Sequence, residues 1–252
     1  SNFSNIYLSN KRNLQSKLIV AADGRLSKIR KKTGISSNIK DFGTTMVVCK
    51  MRHKKPHNNI AYEYFHYSQT MAILPLKGNV SSMVITVPNN ISKKLINMEK
   101  KKFNYDIENR LNNFLGKMDL ISKRYVYPML AVHANKFFKK RLVLIGDAAV
   151  GMHPVTAQGF NLNLKGINIL SEEIKSATKQ KIDIGSSKIL KSYELKLLKI
   201  TIPLYIATNC IIQLYTNQNL PAKIVRKTVL RLGNNMWPLK NAIMDQLLIK
   251  NN

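Results

Sequence analysis

Two short clusters hold the chemistry-bearing groups of this chain. In one, Gly146-Asp147-Ala148-Ala149 leads to His153-Pro154 and then to Gly159-Phe160-Asn161; in the other, Asp23-Gly24 is followed by Ser27 and Arg30. An aspartate after a buried strand is a strong acceptor. The first N–H groups of a helix lack intrahelical acceptors, and the helix dipole favours negative charge beside them. Small residues at Ala148, Ala149 and Gly151 let a ligand approach the backbone closely, and Pro154 fixes φ in the connecting loop. A carboxylate, a stiffened turn and a helix start within one stretch suit a polar, partly anionic cofactor. They equally suit a plain strand-to-helix turn with a packing helix behind it, and spacing alone leaves both readings open.

These groups converge only if regular elements carry them. Leu142 to Ile145 is a continuous apolar run, expected as a strand covered on both faces. From Gly159, apolar residues Phe160, Leu164, Ile167 and Leu170 recur at spacings of three and four, predicting a helix to about Ala177 with that stripe on the core. Upstream, residues 3–9 and 14–21 read as two strands around a turn, the second ended by Asp23-Gly24, with a short helical turn over Ser27 to Arg30. Alternation from Thr44 to Val87 predicts one antiparallel sheet. One or two helices follow over 91–120, with a stripe of Ile107, Leu111, Phe114 and Leu115, and then a strand YVYPMLAV. Ile189 to Tyr215 reads as a long apolar helix that Pro203 should kink or divide. Its most apolar part is shorter than the roughly 20 residues of a membrane span. A last helical segment, Leu220 to Leu248, carries Trp237.

A chain of 252 residues with 44% hydrophobic content can bury a real core. Cys49 and Cys210 stand far apart without metal-ligand spacing, the pattern of reduced core thiols in a cytosolic protein. The formal charge of +28 would by itself point to nucleic acid or an anionic membrane. Only nine of the 41 basic residues are arginine, however, and the lysines are scattered in a chain also rich in Asn and Ile. No aromatic-interleaved nucleic-acid module is present, so no nucleic-acid partner is expected. Docking on acidic lipid head groups remains an expectation.

The first cluster resembles the second FAD-binding motif of the class A flavoprotein monooxygenases, G-D-A-A-H, then H-P, then G-Q-G-x-N. Val150 and Ala157 depart from it in the manner of the ubiquinone-biosynthesis hydroxylase branch, and within that branch of the UbiM type. ADGRLSKIR similarly resembles the family's D-G motif through Asp23, Gly24, Ser27 and Arg30. The resemblance implies an α/β (mixed α+β) fold: the C-terminal part of a Rossmann-like FAD-binding domain, an inserted antiparallel β-sheet substrate domain and a helical C-terminus. It divides the chain into 1–43 and 133–180 for the cofactor domain, 44–132 for the substrate domain and 181–252 for the helical region. The family opens with a G-x-G-x-x-G turn that cradles the ADP half of FAD. These residues contain no such turn, so that subsite is expected elsewhere.

Further implications are a reaction and a set of roles. The reaction is hydroxylation of the aromatic ring of a polyprenyl ubiquinone precursor with NAD(P)H and O2. Asp23, Gly24 and Arg30 would lie near the pyrophosphate and the nicotinamide path. Gly146 and Asp147 would receive the ribityl chain, and Pro154 would hold the loop at the reactive edge of the ring. Amides at Gly159, Phe160 and Asn161 would stabilise charge on the reduced ring. No catalytic acid or base and no metal site is identified. A cytoplasmic protein, peripheral on the inner face of the membrane or within a biosynthetic complex, is the expected setting. The alternatives are a related flavin-dependent reductase or halogenase, and a truncated, non-catalytic accessory protein at the membrane.

Overall fold

The computed structural model describes residues 2–66, 69–153 and 159–216. In chain order the first elements are β1 (Ser4–Tyr7), β2 (Asn13–Ser16), β3 (Ile19–Ala21), α1 (Lys28–Lys32) and β4 (Ser37–His53). Next come β5 (Tyr62–His66), β6 (Gln69–Pro75), β7 (Val80–Pro88), α2 (Asn89–Asn97), α3 (Lys100–Arg110) and β8 (Met118–Leu120). The remainder are β9 (Tyr125–Ala134), β10 (Phe138–Lys139), β11 (Leu142–Leu144), a 3-10 turn (Gly146–Ala148), β12 (Val150–Gly151), α4 (Gly159–Lys179) and α5 (Ser187–Thr216). They form two compact units, Ser1–Lys40 with Leu130–Asn252, and Asp41–Met129. No described helix is long and apolar enough to cross a membrane.

In the first unit, β1 and β2 form an antiparallel hairpin. The predicted strand over 14–21 is two strands, because the Ser16 hydroxyl donates to the Leu18 carbonyl (2.5 Å) and accepts the Leu18 N–H (3.3 Å). That local bond turns the chain out of the hairpin, and β3 joins β11 in parallel while β10 flanks β11 on its other edge. Ala21, Val143 and Leu144 are fully buried in this sheet.

Of the expected stripe, helix α4 buries only Leu170. Leu162, Gly166, Leu170, Glu173 and Ala177 are buried. Phe160, Leu164 and Ile167 are 72%, 40% and 44% exposed. This helix is apolar on two sides, and Gly166 settles which side meets α5: a Cβ there would touch the Leu197 methyls at 3.6 Å. Helix α5 is continuous through Pro203, so the proline does not divide it. Its Tyr193, fully buried, donates to the Leu144 carbonyl at 3.0 Å, anchoring the end of β11. Glu194 accepts the Phe137 N–H at 2.7 Å.

The second unit is the antiparallel sheet expected from the alternation, in the order β4-β7-β6-β5 with β8 on β4. Met83, Ile85 and Val87 alternate inward along β7 and meet Leu95, Phe103 and Ile107 of the two helices. Phe114, expected in the buried stripe, is 41% exposed and meets the Tyr62 ring edge-on at 4.9 Å. Cys49 is buried, and burial pushes its thiol up to about 12, which makes it unreactive. The segment from Leu220 to Leu248, the Cys210 side chain and Pro154 lie outside the described residues.

Arg141, buried just before β11, donates to the Lys17 carbonyl (2.8 Å) and forms an ion pair with Asp183 in the α4–α5 turn. Gly185 is packed against this group, and a Cβ there would fall 2.2 Å from the Lys17 carbonyl oxygen. Gly185→Ala is therefore expected to destabilise the protein by about 1–3 kcal/mol, read as a lower urea midpoint. An unchanged midpoint would show that the turn relaxes freely.

Candidate functional site

The site begins with a β-ladder. Parallel pairing of Ile19 with Leu142, Val20 with Val143 and Ala21 with Leu144 sets the two strand ends side by side. Asp23-Gly24 and Gly146-Asp147 thus leave the same edge of the sheet, outside the carboxyl ends of parallel strands, where open α/β sheets bind ligands. Both turns need glycine: Gly24 has φ +84° and Gly146 has φ +60°.

Asp23 works within its own turn. Its carboxylate accepts the Ser27 hydroxyl at 2.5 Å and the Ile29 N–H at 3.0 Å, while Ser27 Oγ accepts the Arg30 N–H at 2.9 Å and caps α1. Burial alone would raise the Asp23 pKa, but the bonds from Ile29 and Ser27 outweigh it and hold the group below the usual carboxylate value. Arg30 is fully buried and burial lowers its pKa, an effect that the charge of Asp23 partly offsets. Its guanidinium donates to the Ala148 carbonyl at 2.7 Å and to the Arg25 carbonyl at 3.0 Å, and its Nε has no hydrogen-bond partner among the described residues. Arg30 therefore fastens one turn to the other.

Asp147 is held by residues that the sequence patterns did not single out. Arg25 donates through Nε (3.1 Å) and Nη2 (2.9 Å) to its Oδ2, and through Nη1 to the Leu130 carbonyl (2.7 Å). Asn163, one turn into α4, donates to its Oδ1 at 3.2 Å. This last bond brings the start of α4, with Gly159, Phe160 and Asn161, to the Asp147 turn. Among the described residues, a Cβ on Gly159 would meet nothing within 4 Å. Arg25 could have been suspected only as an arginine within the Asp23 turn, and Asn163 only as a polar residue on an apolar helix. Among the described residues, no group of three or more His, Cys, Asp and Glu side chains could hold a metal ion.

Two histidines lie nearby in sequence. His153 is lowered to about 4, first by burial and then by the positive charges of Arg25 and Lys40. His133 is also lowered by burial, despite a bond to the Ala134 carbonyl, and its ring lies 5.5 Å from Phe137 and 5.3 Å from Tyr205.

A turn at the carboxyl end of a parallel pair, facing the start of a long helix, is where open α/β sheets bind nucleotide cofactors. The chain belongs to the FAD binding domain family, whose model matches residues 5–200. It is similar to ubiquinone hydroxylase UbiM of Neisseria meningitidis, 42% identical over 98% of this chain and 53% of that protein. Ubiquinone hydroxylase UbiL of Rhodospirillum rubrum is 31% identical over 94% of this chain and 55% of that protein. The chain thus spans about half the length of the curated relatives it matches. Klebsiella pneumoniae HpxO, solved with FAD and uric acid, shares the fold with a TM-score of 0.72 at 13% identity, over 98% of this chain and 64% of that one. Pseudomonas aeruginosa PqsL gives 0.61 at 16% identity, over 81% of this chain and 56% of its own. The α/β architecture with a sheet-rich second unit is that of the FAD-dependent monooxygenases.

The histidines make a pH prediction. His153 is neutral when folded, while the unfolded chain takes up a proton below about 6.5, so stability should fall as pH drops from about 6.5 towards about 4 and level off below. His133 contributes with the same sign. Thermal melts of His153→Gln should show a shallower loss over that window than the parent. Parallel curves would contradict the assignment.

Proposed function

We propose that the protein is a FAD-dependent monooxygenase that hydroxylates the aromatic ring of a ubiquinone precursor. The observation that carries this is the partly exposed Asp147 carboxylate, held at the strand end beside the start of α4. The names of the two ubiquinone hydroxylases supply the substrate class. These residues fit the ribityl and isoalloxazine part of FAD: an acceptor for hydroxyls at Asp147, a glycine with φ +60° at Gly146, and the first-turn amides of α4 at Gly159, Phe160 and Asn161, which have no intrahelical acceptor. Bound FAD, reduced by NAD(P)H, would activate O2, one atom of which passes to the ring while the other leaves as water.

The chain's own residues then have separate tasks. Asp147 accepts hydrogen bonds from the ribityl chain. Amides of the first turn of α4 stabilise negative charge, as donors fixed before the reaction. Asp23, Gly24 and Arg30 shape the turn along the pyrophosphate side, Arg30 by clamping it to Ala148. His153, neutral at pH 7, leaves the site without an added positive charge. In this reading the second unit is the substrate-binding domain. The excess of lysine supports peripheral docking of a cytoplasmic enzyme on the acidic inner face of a membrane, where a polyprenyl precursor resides.

In the full-length gene product, Asp147→Ala should lower flavin retained after desalting by about tenfold or more, with a much smaller shift of the melting temperature. Equal flavin content in mutant and parent would refute the role. With labelled O2, the precursor should gain one labelled oxygen atom; reduction or halogenation without label would favour a sister reaction on the same fold.

A further inference from the structure

We propose that Arg25 is a positioning residue for Asp147, fixing the carboxylate plane so that a single acceptor site on Oδ1 is offered to a cofactor hydroxyl. The proposal rests on the flavin reading above and adds a residue outside the two motifs. Arg25 lies within the Asp23 turn but is not one of the residues that carry its pattern.

Three observations converge. First, the guanidinium is held at both ends, with Nε and Nη2 on Oδ2 of Asp147 and Nη1 on the Leu130 carbonyl at 2.7 Å. Both donors converge on one oxygen and fix Oδ2; with Asn163 on Oδ1, the carboxylate is held at both oxygens and its plane is set. Second, a carboxylate offers about four lone-pair sites. Among the described residues, Arg25 fills two on Oδ2 and Asn163 fills one on Oδ1, which leaves one site on the oxygen nearer α4. The Asp147 side chain is 30% exposed, which leaves that site reachable.

The third observation comes from β12. Gly151 does not have a positive φ, so its backbone conformation does not require glycine. A Cβ there would sit 2.7 Å from Arg25 Nε, 3.1 Å from Cγ and 3.3 Å from Cδ. Gly151 is thus the floor over which Arg25 passes to reach Asp147. Any larger residue must shift the Arg25 side chain and so disturb its approach to the carboxylate, while leaving both charges in place.

The test uses the full-length gene product and FAD titrations followed by flavin fluorescence quenching, beside melts of the flavin-free protein. Arg25→Gln and Gly151→Ala should each weaken FAD binding by about tenfold. Because both act through the same contact, the double variant should bind no more weakly than Arg25→Gln alone. Arg25→Lys, which keeps the charge but not the fork, should recover only part of the affinity. Additive losses from Arg25→Gln and Gly151→Ala would overturn the proposal. So would an Arg25→Gln protein that melts earlier yet binds FAD within about twofold of the parent, since Arg25 would then be only a tie to Leu130. A parent that binds no FAD would overturn the flavin reading itself. A parent that binds FAD, loses it in Asp147→Ala and keeps it in Arg25→Gln would overturn the positioning role alone.

Discussion

Everything at the site depends on three residue pairs of parallel β-ladder. Ile19 with Leu142, Val20 with Val143 and Ala21 with Leu144 join two segments more than 120 residues apart in sequence. Parallel pairing makes both strands end on the same side, so the turn after each one opens toward the same place. Antiparallel pairing would have sent Asp23 and Asp147 to opposite edges. The ladder is short, and its neighbours reinforce it. Tyr193 holds the Leu144 carbonyl from α5, and Arg141 ties the entry of β11 to Lys17 and to the α4–α5 turn.

On that base the two turns are joined by arginines with different tasks. Arg30 is buried and donates to backbone carbonyls, which bear partial charges only, while Asp23 supplies the nearest compensating charge. Burying a guanidinium this way is costly unless its donors are satisfied. The return is a fixed distance between the turn that caps α1 and the turn that follows β11. Arg25 lies nearer the surface and meets a full carboxylate. It acts on orientation more than on stability, because ion pairs with partial solvent access contribute little to folding.

The overall charge has a lesser part. Lysines are dispersed over both units, and at ordinary ionic strength their fields reach about 8–10 Å. They bear on where the protein resides and on what approaches it, whereas the local geometry at Asp147 is set by one arginine and one asparagine.

The sequence by itself determined the elements that depend on short-range pattern. The apolar run at Leu142, the alternation along β7 and the glycines at positions 24 and 146 each have one low-energy local solution, and the motif residues between them kept the spacing that a cofactor turn needs. The short helical turn over Ser27 to Arg30 was visible too, while the capping role of Ser27 came from the structure. Tertiary structure decided what local pattern left degenerate. Helix α4 is apolar on two sides, so periodicity could not choose between Phe160, Leu164 and Ile167 and the face of Leu162, Gly166 and Leu170; packing of Gly166 on Leu197 chose it. The strand over 14–21 broke because a serine hydroxyl found the carbonyl two residues on. Arg25, Asn163 and Gly151 have no signature of their own, because each matters only through a neighbour that the fold brings to it from a distance in sequence: Asp147 for the first two, and Arg25 for the third.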